Sequence, residues 1–150
     1  MMKKLLFAAV LMAATAAQAQ ITTFVLQPAE LEGALEFTWA DNWGSTPDLN
    51  DPAETIQGFA AFVDDGTAGD SLGCNALVNG ADIAGKIAVV YRGTCEFGAK
   101  ALNAETAGAI GVVIINNQGA PVAMGAGVNG PNVTIPVVMI STDAGAALYD

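Results

Sequence analysis

The chain has 150 residues, 53% of them hydrophobic, with fifteen carboxylates against five Lys and Arg and a formal net charge of −10. That balance repels nucleic acid and anionic membrane surfaces, so neither is expected as a partner. Histidine is absent, which excludes Ser-His-Asp and Cys-His nucleophilic machinery, and two cysteines alone cannot complete a tetrahedral zinc site.

Residues 1–19 read as a cleavable secretory signal peptide, with cleavage expected before Gln20. Met1 to Lys4 is a short basic start, Leu5 to Ala17 is apolar, and Ala17-Gln18-Ala19 offers the small residues that a signal peptidase requires. The apolar run falls short of the roughly 20 residues that span a bilayer. No later segment is long and apolar enough to do so, and no membrane span is expected in the mature chain. Residues 20–150 then form one domain, which a chain of this size can stabilise by burying about two-thirds of its unfolded surface. In an oxidising compartment Cys74 and Cys95 are most simply one disulfide, contributing on the order of 3 kcal/mol by loop-closure entropy.

The first half of the mature chain carries short apolar runs, Thr23 to Leu26, Ala34 to Trp39 and Gly58 to Val63, separated by Pro, Gly, Asn and Asp. These predict short strands and turns. Ala40 to Thr55, with Asp41, Asp48, Asp51 and two prolines, predicts an exposed acidic loop. The rhythm then changes. Lys86 to Tyr91 and Gly111 to Ile115 are continuous apolar runs of strand length. Between them Phe97, Ala101, Ala104 and Gly108 recur at helical spacing, so Cys95 to Gly108 predicts a helix in a strand, helix, strand unit. A Gly-rich loop follows, then a third apolar strand from Ile135 to Ile140, and Ser141 or Thr142 caps a final helix. The absence of a stop signal in that helix suggests a longer product, truncated here.

The densest pattern is Gly85-Lys86-Ile87-Ala88-Val89-Val90-Tyr91-Arg92-Gly93-Thr94-Cys95-Glu96-Phe97, followed by Lys100, Asn103-Ala104, Ala107-Gly108-Ala109 and Asn116-Asn117. With Cys74, Thr134 to Ile140, and Gln27 to Gly33 as an opening strand and turn, it resembles the protease-associated domain family. The resemblance implies a small, β-rich α+β (β/β/α) fold and no catalysis of its own. Domains of this family are accessory modules in secreted subtilisin-like and metal-dependent peptidases, sorting receptors and membrane-bound ubiquitin ligases, where they bind proteins or peptides or cover an active site. The implied parent is a secreted peptidase, and the implied partner is a protein or peptide ligand or a peptidase domain in the same chain. A surface or adhesion protein without peptidase activity is the alternative host. No cofactor is expected.

Candidate ligand-binding residues are Arg92, Gly93, Thr94 and Glu96 in the turn after the central strand, and Met124 in the loop Asn117 to Asn132. Arg92 can take a peptide carbonyl or carboxylate, or it can pair internally with an acid or backbone carbonyls, which is the favoured reading. The loop is either a recognition edge or a long connection. Adjacent Asp64 and Asp65 point opposite ways at a strand end, which disfavours an acid–base pair and suits a turn with Gly66. With Asp70 they are weak calcium candidates, since their spacing does not fit a helical-hand loop. Asn132-Val133-Thr134 satisfies the glycosylation pattern.

Overall fold

The strand runs of the second half carry β-branched side chains suited to a pleated, buried surface. In the computed structural model, which describes residues 23–25, 29, 32–68 and 71–149, they build the centre of a five-stranded sheet. Its order is β3 (Phe37–Trp39), β7 (Val137–Ile140), β6 (Gly111–Ile115), β5 (Ile87–Tyr91) and β4 (Ala60–Phe62). Strands β4, β5, β6 and β7 are parallel, whereas β3 runs antiparallel to β7 at one edge. A separate antiparallel hairpin joins β1 (Thr23–Val25) to β2 (Gly33–Leu35).

Parallel neighbours need a crossover, and helix α2 (Phe97–Thr106) supplies it between β5 and β6. It is shorter at each end than the expected Cys95 to Gly108. Ala101 and Ala104 are fully buried, so the small-residue face lies against the sheet as the spacing predicts. Gly108, at φ 90°, turns the chain out of the helix toward β6. Helix α1 (Gly80–Ile83), too short to show a period in the sequence, precedes β5 and buries Ile83. Helix α3 (Thr142–Tyr149) follows β7 as expected. The result is an α+β fold.

The sheet is covered on both faces. Ala88, Val90, Val112 and Ile114 join Ala101 and Ala104 of α2 in the larger core. Val89, Ile115 and Ile140 form a smaller core with Leu35, Phe37 and residues Ala144 and Leu148 of α3. Gly145 lets α3 approach closely, since a Cβ there would collide with the Ile115 side chain. Among the described residues, no helix is long and apolar enough to cross a membrane.

Two expectations change. Ala34 to Trp39 is not one strand, because the chain switches hydrogen-bonding partner at Glu36, from β1 to β7. The acidic segment from Ala40 to Thr55 is exposed along much of its length but is not merely a solvated loop. Trp43 within it is buried, and its indole N–H donates to the Met124 carbonyl at 3.0 Å. The indole thereby ties this segment to the Gly-rich loop. Its acids work locally: Asp48 accepts from the Asn50 backbone and side chain, and Asp51 caps the 3-10 turn Pro52–Glu54 through the Ala53 N–H. Residues 1–19, expected to be a signal peptide, and most of the stretch from Gln27 to Gly33 lie outside the described residues.

The closest backbone approach in the larger core is at Gly98, where a Cβ would collide with the Ala126 carbonyl oxygen and the Gly130 backbone. Backbone atoms cannot swing aside as a side chain can. Gly98→Ala is therefore expected to cost at least about 2 kcal/mol in chemical denaturation. Gly125→Ala, where a Cβ would meet open space, should stay within about 0.5 kcal/mol.

Candidate functional site

The turn after β5 brings four of the five candidate ligand-binding residues together. Gly93 takes φ 141° and Thr94 takes φ 64°, so the chain doubles back at once and the Cys95 N–H reaches the Gly93 carbonyl at 2.8 Å. A β-branched residue in the left-handed region is costly, and here the surroundings hold it there. Cys95 is bonded to Cys74, with Cα atoms 5.8 Å apart. The expected disulfide is present.

Arg92 is held by neighbours other than acids. Its guanidinium donates from Nη1 to Asn116 Oδ1 at 2.9 Å and lies over the Phe97 ring, 5.8 Å from the centroid. Asn116 is buried and saturated: its amide nitrogen donates to the Gln118 and Ala120 carbonyls, and Oδ1 also accepts the Asn117 N–H. Arg92 thus anchors the base of the Gly-rich loop through one buried amide.

Glu96 anchors the other end of that loop. Its Oε2 accepts the Val128 N–H at 2.9 Å, and Oε1 accepts the Asn129 N–H at 3.0 Å together with the Asn129 side-chain amide. The Val128 N–H and then the Asn129 amide hold the Glu96 carboxyl below its usual value, against a smaller opposing effect of burial. Clamping the backbone leaves the Val128 side chain 83% exposed at the crest. Met124 departs from expectation. Its side chain is packed in the larger core, because Trp43 draws its carbonyl inward, and it is not presented with the exposed turn.

Asp64 and Asp65 divide their work as adjacent residues at a strand end must. Asp64 accepts the Gly66 N–H at 2.8 Å, closing the expected turn. Asp65 is buried, and its two oxygens accept from the Thr67 N–H and hydroxyl and from the Cys74 and Asn75 N–H groups. Burial alone would raise its pKa, but the Thr67 hydroxyl and the three N–H donors outweigh it and hold the carboxyl below its ordinary value. With its lone pairs taken, Asp65 is a structural hub and not a free ligand for calcium. Asp70 lies outside the described residues, and among these no group of three or more His, Cys, Asp or Glu is placed to hold a metal. Asn132 is exposed in the 3-10 turn Gly130–Asn132, and Thr134 engages Glu105 of α2 through its N–H and hydroxyl.

A buried cation lies beneath the turn. Lys100 of α2 is fully buried, and its ammonium donates to the Leu72 carbonyl at 2.7 Å and lies 3.5 Å from Cys74 Sγ. Burial pushes its pKa down to about 8, opposed by the charge of Asp65. Asn103, one turn on, donates to the Gly73 carbonyl at 2.9 Å. The available signal was position, since Lys100 stands four residues before Ala104 and so on the buried face.

The PA domain family matches residues 53–148. The chain belongs to that family. The match takes in β4 through most of α3, while β3, which completes the sheet, lies before it. The chain is 36% identical over 111 residues to the human ER degradation-enhancing alpha-mannosidase-like protein 3, covering 69% of this PA domain chain and 11% of that protein. It is 47% identical over 68 residues to the Bacillus subtilis aminopeptidase YwaD, covering 45% of this chain and 15% of that one. Among solved structures it is similar to BSAP, a zinc aminopeptidase from Bacillus subtilis, with a TM-score of 0.59 and 26% identity over 79% of this chain and 26% of that chain. The PA domain chain therefore corresponds to a small part of each of these proteins.

Because Asp65 has a depressed folded pKa, its stabilisation is fully present above the unfolded value near 3.8 and is lost as pH falls through the folded value. Asp65→Asn is expected to cost about 2 kcal/mol at neutral pH, as the buried donors lose their charged acceptor. The variant's denaturation midpoint should also fall less than the wild type's on going below pH 4. Parallel acid limbs in the two proteins would contradict this role.

Proposed function

We propose that this chain is a non-catalytic accessory module of an exported protein, which binds protein or peptide, or limits entry of substrates to a peptidase domain in the same polypeptide. The observation that carries the reading is the clamped ridge formed by the Arg92 to Glu96 turn and the loop tip at Val128 and Asn129. The half-buried Glu96 carboxylate fixes the loop backbone, yet the Thr94 and Val128 side chains are left to solvent. An extended peptide laid on it would meet the apolar Val128, the exposed Thr94 and the guanidinium N–H groups of Arg92 not used by Asn116. Fixing the loop beforehand lowers the ordering cost of binding.

A peptidase host is supported by the similarity to Bacillus subtilis aminopeptidase in both sequence and structure, in which the matching region is a minor part of a longer chain. Export is supported by the Cys74–Cys95 disulfide and by a relative named for the endoplasmic reticulum, with residues 1–19 as the leader and 20–150 as the domain. The mannosidase-like relative also favours a second reading, a binding module in a host without peptidase activity. A complete reading frame carrying a zinc-binding His-Glu-x-x-His run or a serine triad supports the first host.

The binding claim is tested on immobilised residues 20–150 challenged with a randomised peptide library and read by mass spectrometry. Peptides should be retained intact, and Val128→Asp should reduce retention at least about fivefold. Equal retention by the variant, or cleavage that follows the purified domain, would contradict it.

A further inference from the structure

The two sulfurs of the disulfide stand in unlike surroundings. Both cysteines are half-buried, but Cys74 Sγ lies 3.5 Å from the buried Lys100 ammonium and the Cys74 N–H donates to Asp65. Cys95 sits next to exposed Thr94, in a turn whose Thr94 φ of 64° would relax if the turn were released. A thiolate produced on Cys74 would therefore face a buried cation, whereas among the described residues no ammonium or guanidinium is hydrogen-bonded to Cys95 Sγ. We propose that the Cys74–Cys95 bridge is a directional thiol-exchange site, in which an external thiolate attacks Cys95 and expels Cys74 as a thiolate stabilised by Lys100.

One external thiolate suffices to open the bridge, and a second one completes its reduction. The sulfur of the incoming thiolate, from a small thiol such as glutathione or a dithiol protein, bonds to Cys95 Sγ. The bond between Cys95 Sγ and Cys74 Sγ breaks, and its electron pair stays on Cys74 Sγ. A second thiolate attacking the incoming sulfur of the mixed disulfide frees Cys95 and carries away an oxidised disulfide. Exchange is fastest when the leaving thiolate is the better stabilised one, which sets the direction. Lys100 is a positioning and charge-stabilising residue here, and the lowering of its pKa to about 8 leaves it mostly protonated at neutral pH. Leu72 O and Cys74 Sγ are its hydrogen-bonding neighbours, and Asp65 is the one charged group whose field acts on it among the described residues.

Opening the bridge would loosen the Arg92 to Glu96 turn from the segment carrying Leu72 to Cys74, so the exchange site lies at the foot of the proposed recognition ridge. Exchange at the bridge proceeds whether or not the ridge binds a ligand.

Oxidised protein is incubated briefly with reduced glutathione, the released thiol is capped with N-ethylmaleimide in acid, and the adducts are mapped by peptide mass spectrometry. Glutathione is expected on Cys95 with maleimide on Cys74, in at least about fivefold excess over the reverse pattern. The excess should fall toward parity in Lys100→Met, while Lys86→Met leaves it unchanged. Should Lys100→Met fail to fold, the wild-type ratio from about pH 6 to about pH 10 gives the same answer. That ratio does not depend on how much attacking thiolate is present, and it should fall as Lys100 loses its proton. Equal labelling of the two cysteines, preference for Cys74, or a ratio indifferent to both Lys100 and pH would overturn the proposal.

Discussion

A lysine ammonium taken out of water is costly unless its donors and its charge are met, and Lys100 sits fully buried between α2 and the segment that follows β4. The Leu72 carbonyl meets one donor, Cys74 Sγ lies within reach of another, and the Asp65 carboxylate balances the charge. Asp65 in turn holds the N–H groups of Cys74 and Asn75, and Cys74 is covalently tied to Cys95 at the entrance of α2. Carboxylate, disulfide and ammonium therefore fasten the same two pieces of chain. With that fastening in place, the small residues of α2 can lie close on the sheet, and the turn after β5 has a fixed exit.

From that exit the rest of the exposed ridge follows. Glu96 reaches the backbone at Val128 and Asn129, Arg92 reaches Asn116 at the loop's other end, and Trp43 supplies a third hold through the Met124 carbonyl. A Gly-rich segment of this length has much conformational entropy to lose, and it is these side-chain contacts, distant in sequence, that offset the loss.

The parallel core was legible because its strands are unbroken runs of β-branched residues, and α2 because its small residues repeat at helical spacing. The switch of partner at Glu36 was not. Leu35 and Phe37 continue the same alternation into the same small core, so side-chain pattern is blind to which strand the backbone pairs with. Trp43 was masked by its acidic neighbours, and Met124 by its glycines, since local composition says nothing of a hydrogen bond between residues 81 apart. In the candidate site, the turn residues were legible from their motif. Their partners, Asn116 for Arg92 and the loop backbone for Glu96, depend on chain closure that no local window contains.

The most direct measurement of whether this loop is held ready, and not merely connecting, is amide hydrogen exchange at Val128 and Asn129, whose N–H groups donate to Glu96 while the Val128 side chain stands in solvent. A clamped ridge predicts that both amides exchange at least about tenfold more slowly than unstructured ones, and that Glu96→Gln speeds them while leaving β5 and β6 amides protected. Exchange of both at the unstructured rate in the wild type would contradict the account.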